Sequence, residues 1–83
     1  MERANITSQL KEILNEGTRG RIAPDGLNAE TNLLTEVGLD SMEALDTLLL
    51  IEEKFGIQIA DEDLNRDLFT TVSNLADYVN SRL

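Results

Sequence analysis

Ile6, Leu10, Ile13 and Leu14 recur at i, i+4, i+7 and i+8, the spacing of one apolar helix face. They predict a helix over about residues 3 to 16, with Gly17 as its stop. From Gly17 to Asp40 the period disappears. Gly20, Pro24, Gly26 and Gly38 interrupt the run, and Ile22, Leu27, Leu33, Leu34 and Val37 stand at irregular intervals. This predicts a long loop pinned to the core by single apolar anchors, with a short turn at Thr31 to Glu36. The helical period resumes from Ser41 to Phe55 and ends at Gly56, with Ile57 placed to pack back on the last turn. At ~100° per residue, Ala44, Thr47, Leu48, Ile51 and Phe55 share one side, while Met42, Leu45 and Leu49 share nearly the opposite side with Asp46 and Glu53. The first side is predicted to face the core. The second is an apolar strip rimmed with acids, which either the rest of a small bundle covers or a partner docks on. Beyond Gly56, Ile57 and Ile59 flank Gln58, consistent with a few extended residues leading to a short helix near Asp61 to Asn65. A last helix is predicted from a Thr70 or Thr71 cap, with Val72, Leu75, Ala76, Val79 and Leu83 on one face. The fold class that results is all-α: a small four-helix bundle of three main helices and one short one, with a long loop between the first two.

The start of the second long helix carries the candidate chemistry. Gly38 is free to take φ > 0, Leu39 is an apolar anchor, and Asp40 is a good N-cap with Glu43 three residues later, the pattern of a capping box. Ser41 then falls at the first helical position. A helix N-terminus offers free N–H groups and a positive dipole end, so a phosphate esterified to the Ser41 hydroxyl would sit in a favourable field. This is the setting of an attachment site and not of a catalytic one.

Composition narrows the alternatives. The 83 residues suit one domain spanning 1–83, with a modest core. The longest apolar run, Leu48-Leu49-Leu50-Ile51, is far short of a membrane span, and the N-terminus lacks the pattern of a signal peptide. A cytoplasmic location with no membrane association is expected. Cysteine and histidine are both absent, which removes disulfides, thiolate metal sites, cysteine nucleophiles and histidine-based triads. Any thiol must be supplied from outside, and the chain is not expected to be an enzyme. The formal charge of −9, with seven scattered Lys and Arg, argues against nucleic acid and for partners with basic surfaces. Acidity also serves solubility alone.

Gly38-Leu39-Asp40-Ser41-Met42 resembles the G-x-D-S-L signature of the acyl carrier protein family. The likeness continues in order through Ile51-Glu52-Glu53-Lys54-Phe55-Gly56-Ile57-Gln58-Ile59, Asp61-Glu62-Asp63, Thr70-Thr71-Val72 and Leu75-Ala76-Asp77-Tyr78-Val79. The resemblance implies a covalent 4′-phosphopantetheine on Ser41, delivered from coenzyme A by a phosphopantetheinyl transferase, with Asp40 as the flanking motif residue. Its thiol would hold acyl cargo, or aminoacyl cargo, as a thioester. It also implies acyl-loading and acyl-processing enzymes that dock through basic patches on Met42, Glu43, Leu45, Asp46, Leu49 and Glu53 of a monomeric, free-standing carrier. Gly38-Leu39-Asp40-Ser41 looks more like fatty acid and polyketide carriers than peptide-synthetase carriers. Two departures stand out: Ala60 where the family often has proline, and Thr47 where related carriers usually have leucine.

Three rival readings use the same residues. Asp61-Glu62-Asp63-Leu64-Asn65-Arg66-Asp67 opens like an EF-hand calcium loop, but Arg66 stands where the sharp turn needs glycine and Val72 where the bidentate glutamate belongs. A serine hydrolase fails for want of the G-x-S-x-G elbow and of any histidine. An acidic helical adaptor without a prosthetic group would share the fold, and modification of Ser41 is what separates it from a carrier.

Overall fold

Three α-helices, α1 (Arg3–Gly17), α2 (Ser41–Phe55) and α3 (Val72–Arg82), are joined by loops that hold single 3-10 turns at Pro24–Gly26, Asp61–Asp63 and Arg66–Phe69. The computed structural model describes residues 2–64 and 66–83, without the side chains of Arg3, Asp61 and Arg66. α1 packs against both α2 and α3. Ile6, Leu10, Ile13 and Leu14 are buried along it, as their spacing predicts. The short fourth helix takes 3-10 form at Asp61–Asp63. Asn65, the predicted end of that helix, lies outside the described residues.

The end of α1 differs from expectation. Gly17 is the last helical residue and buried, and the left-handed conformation falls later, on Arg19 (φ 55°) and Gly20 (φ 84°). The Arg19 N–H donates to the Glu16 carbonyl at 3.0 Å and the Gly20 N–H to the Asn15 carbonyl at 2.8 Å, a Schellman-type closure. Gly17 serves a different purpose, close packing. A Cβ there would lie 3.2 Å from both the N and Cα of Thr47, and closer still to its hydroxyl oxygen, so the absence of a side chain lets α2 approach α1. Thr18, buried beside it, closes the turn with its own hydroxyl, which donates to the Leu14 carbonyl at 2.7 Å and accepts the Ile22 N–H at 3.2 Å.

The loop from α1 to α2 is pinned as predicted. Ile22, Leu27 and Leu33 are buried, with Leu34 and Val37 partly buried against the core. The turn at Thr31 to Glu36 forms around Asn32, whose Oδ1 accepts the N–H groups of Leu34 and Thr35, both at 2.9 Å. Two backbone bonds, Leu33 N–H to the Thr70 carbonyl and Ser73 N–H to the Ala29 carbonyl, stitch this loop to the start of α3. These bonds satisfy polar groups that a buried loop would otherwise leave unpaired.

α3 opens at Thr71, whose hydroxyl accepts the Asn74 N–H at 3.0 Å, and buries Val72, Leu75, Ala76 and Val79. Leu83 departs from the predicted face. It follows the last helical residue and is 54% exposed, because the helix ends one residue short of it. Leu68 and Phe69 join the core from the 3-10 turn that precedes α3.

Candidate functional site

Ser41 occupies the first position of α2 and is exposed. Its surroundings are fixed from both sides. Upstream, Gly38 takes φ 73° and Leu39 buries its side chain in the core. Downstream, the capping box is complete: the Asp40 carboxylate accepts the Glu43 N–H at 2.8 Å, and the Glu43 carboxylate accepts the Asp40 N–H at 3.2 Å. The Ala44 N–H reaches the Asp40 carbonyl at 2.8 Å. The N–H groups of Ser41 and Met42 have no intrahelical acceptor, so the positive end of α2 faces the serine.

Glu43 has a second engagement that its place on the outward side of α2 did not foretell. Arg21 grips its carboxylate with two nitrogens, at 2.6 and 2.8 Å. This hydrogen bond is the main cause that lowers the Glu43 pKa from the ordinary carboxylate value, against a smaller opposing effect of burial. Nothing in the helical pattern marks Arg21, and the only sequence signal for it is a basic residue just before Ile22, the first of the loop's apolar anchors.

The two sides of α2 separate as the periodicity predicts. Thr47, Ile51 and Phe55 are buried, with Ala44 and Leu48 partly buried against the core. Met42, Leu45 and Leu49 are exposed at 66%, 54% and 56%, a strip running down the helix from the residue after Ser41. Asp46 is half-buried and Glu53 exposed beside it. α2 stops at Gly56 in the left-handed conformation (φ 67°), and the Glu52 side chain accepts the Ile59 N–H at 2.9 Å, holding the following segment against the helix end.

An apolar cleft of about 510 Å³ opens beside Ser41. Leu34, Leu39, Ala44, Leu45, Leu48, Leu64 and Phe69 line it, together with Asp40 and Ser41 at its mouth. Sequence periodicity placed neither Leu64 nor Phe69 there, since both belong to the irregular segment before α3. Of the acidic stretch 61–67, Asp63 accepts the Tyr78 hydroxyl at 2.8 Å, and burial together with that bond pushes the Tyr78 phenol above its ordinary pKa. Among the described residues no three acidic side chains gather to hold a metal ion. The described residues also include no helix long and apolar enough to cross a membrane.

The exposed serine and the helix N-terminus facing it fit a phosphate-linked arm. Comparison with known proteins points the same way. A family model described as a phosphopantetheine attachment site matches residues 6–79. An acyl carrier protein of Coprothermobacter proteolyticus is 31% identical over 83 residues, which covers 100% of this chain and 96% of that protein. An acyl carrier protein of Campylobacter hominis is 30% identical over 59 residues, covering 65% of this chain and 75% of that protein. The chain belongs to the acyl carrier protein family, whose members are non-catalytic carriers with a covalently bound 4′-phosphopantetheine.

Proposed function

We propose that Ser41 is the attachment point, and that the chain carries acyl intermediates as thioesters and presents them to successive biosynthetic enzymes. The observation that carries this reading is the exposed Ser41 hydroxyl on a turn fixed by the Asp40 and Glu43 capping box, at the mouth of an apolar cleft. A phosphopantetheinyl transferase would join the Ser41 oxygen to the pantetheine phosphate of coenzyme A, releasing adenosine bisphosphate and the hydroxyl proton. The arm's thiol supplies a thioester, activated for acyl transfer and held at high effective concentration near a docked enzyme.

The protein's own residues supply the address. Met42, Leu45 and Leu49 form an apolar centre, and Asp46 and Glu53 a rim that draws a basic patch on each partner and speeds encounter. Glu43 adds less charge to that rim because Arg21 already pairs with it. The 83 residues act as one carrier domain and as a monomer, in the cytoplasm where coenzyme A is available. Gly38-Leu39-Asp40-Ser41 and the apolar lining of the cleft favour acyl over aminoacyl cargo.

The test is intact mass. Incubated with coenzyme A and a broad-specificity transferase, the wild-type chain should gain one phosphopantetheine and Ser41→Ala none. Equal addition to both, or addition to neither, would overturn the assignment.

A further inference from the structure

Arg21 sits in the long loop, yet its guanidinium reaches both sides of the turn that carries Ser41. Nε donates to Glu43 Oε2 at 2.8 Å and Nη2 to Glu43 Oε1 at 2.6 Å. Nη1 donates to the Val37 carbonyl at 2.9 Å and Nη2 to the Gly38 carbonyl at 3.4 Å. The two carbonyls lie before Ser41 in the chain and the carboxylate after it, so one planar group spans the serine. Through Glu43 the contact extends to the Asp40 N–H, the N-cap itself. The chain delivers Arg21 to this place by the reversal at Arg19 and Gly20, closed by the Arg21 N–H to the Thr18 carbonyl at 3.1 Å, and Ile22 anchors the next residue in the core.

We propose that Arg21 is a positioning residue for loading of Ser41: it ties the segment before the serine to the helix turn after it, so that the hydroxyl meets the transferase in one geometry. The proposal rests on the reading of Ser41 as the attachment point. The fork matters as well as the charge, because a guanidinium can bridge a carboxylate and two carbonyls at fixed angles, whereas an ammonium offers only a point charge. Arg21 also neutralises Glu43 next to Met42. Losing it would unmask a negative charge at the docking face, which acts on encounter and hence on KM, whereas a looser turn acts on kcat.

The experiment measures initial rates of phosphopantetheine addition from coenzyme A, with kcat and KM for the carrier separated. The proteins are wild type, Arg21→Ala, Arg21→Lys, and Arg21→Ala combined with Glu43→Gln. The expected result is a kcat lower by about tenfold in all three variants, with KM for the carrier not raised. Amide exchange at Glu43 and Ala44 should quicken in Arg21→Ala and Arg21→Lys while the amides from Thr47 to Phe55 keep their protection. Wild-type kcat in Arg21→Lys would show that charge alone suffices and overturn the proposal, as would an unchanged rate in Arg21→Ala. A raised KM at wild-type kcat would also overturn it, making Arg21 a contact of the transferase. Loss of the cooperative melt in the variants would make Arg21 a folding residue and likewise overturn it. Failure of wild type itself to be modified would remove the reading of Ser41 and this proposal together, whereas wild type and Arg21→Ala modified equally fast removes the proposal alone.

Discussion

Thr47→Val should stabilise this protein. Thr47 is 0% exposed, and its hydroxyl is buried without a hydrogen-bond partner among the described residues. A buried hydroxyl left unsatisfied costs roughly 1–3 kcal/mol. Valine has the same branched shape and differs at the crossing with Gly17 only by a methyl in place of the hydroxyl, and its helix propensity is near that of threonine, so the local contribution cancels. Replacing the hydroxyl with a methyl should therefore add about 1–2 kcal/mol, read as a rise in melting temperature of roughly 5–15 °C. Leucine is not the better choice here. With Thr47 N and Cα already within 3.2 Å of where a Gly17 Cβ would stand, a longer side chain must push α1 and α2 apart, at a cost of about 1–3 kcal/mol. Gly17→Ala should be destabilising for the same reason. Thermal and urea melts of the unmodified proteins decide the matter. A neutral or destabilising Thr47→Val would refute the expected gain, meaning either that the hydroxyl has a partner, most simply a carbonyl of its own helix, or that a methyl is too large for the crossing at Gly17.

Gly56→Ala should lose about 1 kcal/mol in urea melts, because φ of 67° suits glycine, and Arg19→Gly should regain somewhat less at φ 55°, since glycine also gains freedom in the unfolded chain. The Glu43 carboxyl has a lowered folded pKa, so its contribution is present above its ordinary unfolded value and is lost as pH falls through the lowered one; Glu43→Gln should be less stable than wild type at neutral pH, with the gap closing in acid. Urea melts across an acidic pH series check this, and a gap that stays constant with pH would count against it. Asp46→Lys with Glu53→Lys should leave the melting temperature similar or higher while slowing phosphopantetheine addition, and added salt should slow the wild type. Equal rates at low salt would reduce the acidic rim to a solubility feature.

Where one helix face repeats every three or four residues, the sequence was sufficient. Ser41 to Phe55 is α2 to the residue, because the Asp40 and Glu43 cap and the Gly56 stop are local signals that no tertiary contact overrides. The buried and exposed sides of that helix follow from its period alone. Leu68 and Phe69 escaped the same reasoning, since a 3-10 turn has no 3.6-residue period and two adjacent apolar residues define no face. Leu83 shows the opposite failure: its spacing fits, but the helix stops at Arg82. Gly17 reads locally as a stop, and only the approach of Thr47 from a helix 30 positions away shows it to be a contact. Arg21 and Glu43 are separated by 22 residues, and pairing them requires knowing that the Arg19 and Gly20 reversal returns the loop to the start of α2. What could not be read is what depends on which distant segments meet.

That division bears on how α2, on the proposed reading, separates stability from recognition. Ser41 sits where the two sides of the helix begin, with Ala44, Thr47, Leu48 and Ile51 leading into the core and Met42, Leu45 and Leu49 leading down the exposed strip. Because the serine itself is exposed, adding a group to its hydroxyl displaces no core atom. Because its turn is held by Leu39, the capping box and Arg21, the serine has a fixed place on the surface without being buried. On the proposed reading, cargo on an arm at this point would have both the cleft bounded by Leu48 and Phe69 and a partner on the strip beside it, and Leu45 lines the first and stands in the second. Substitutions at Thr47, Ile51 or Phe55 should therefore appear in melts, those at Met42 or Leu49 in transfer rates, and Leu45 should be the apolar position of α2 at which sequestered cargo and docked partner compete.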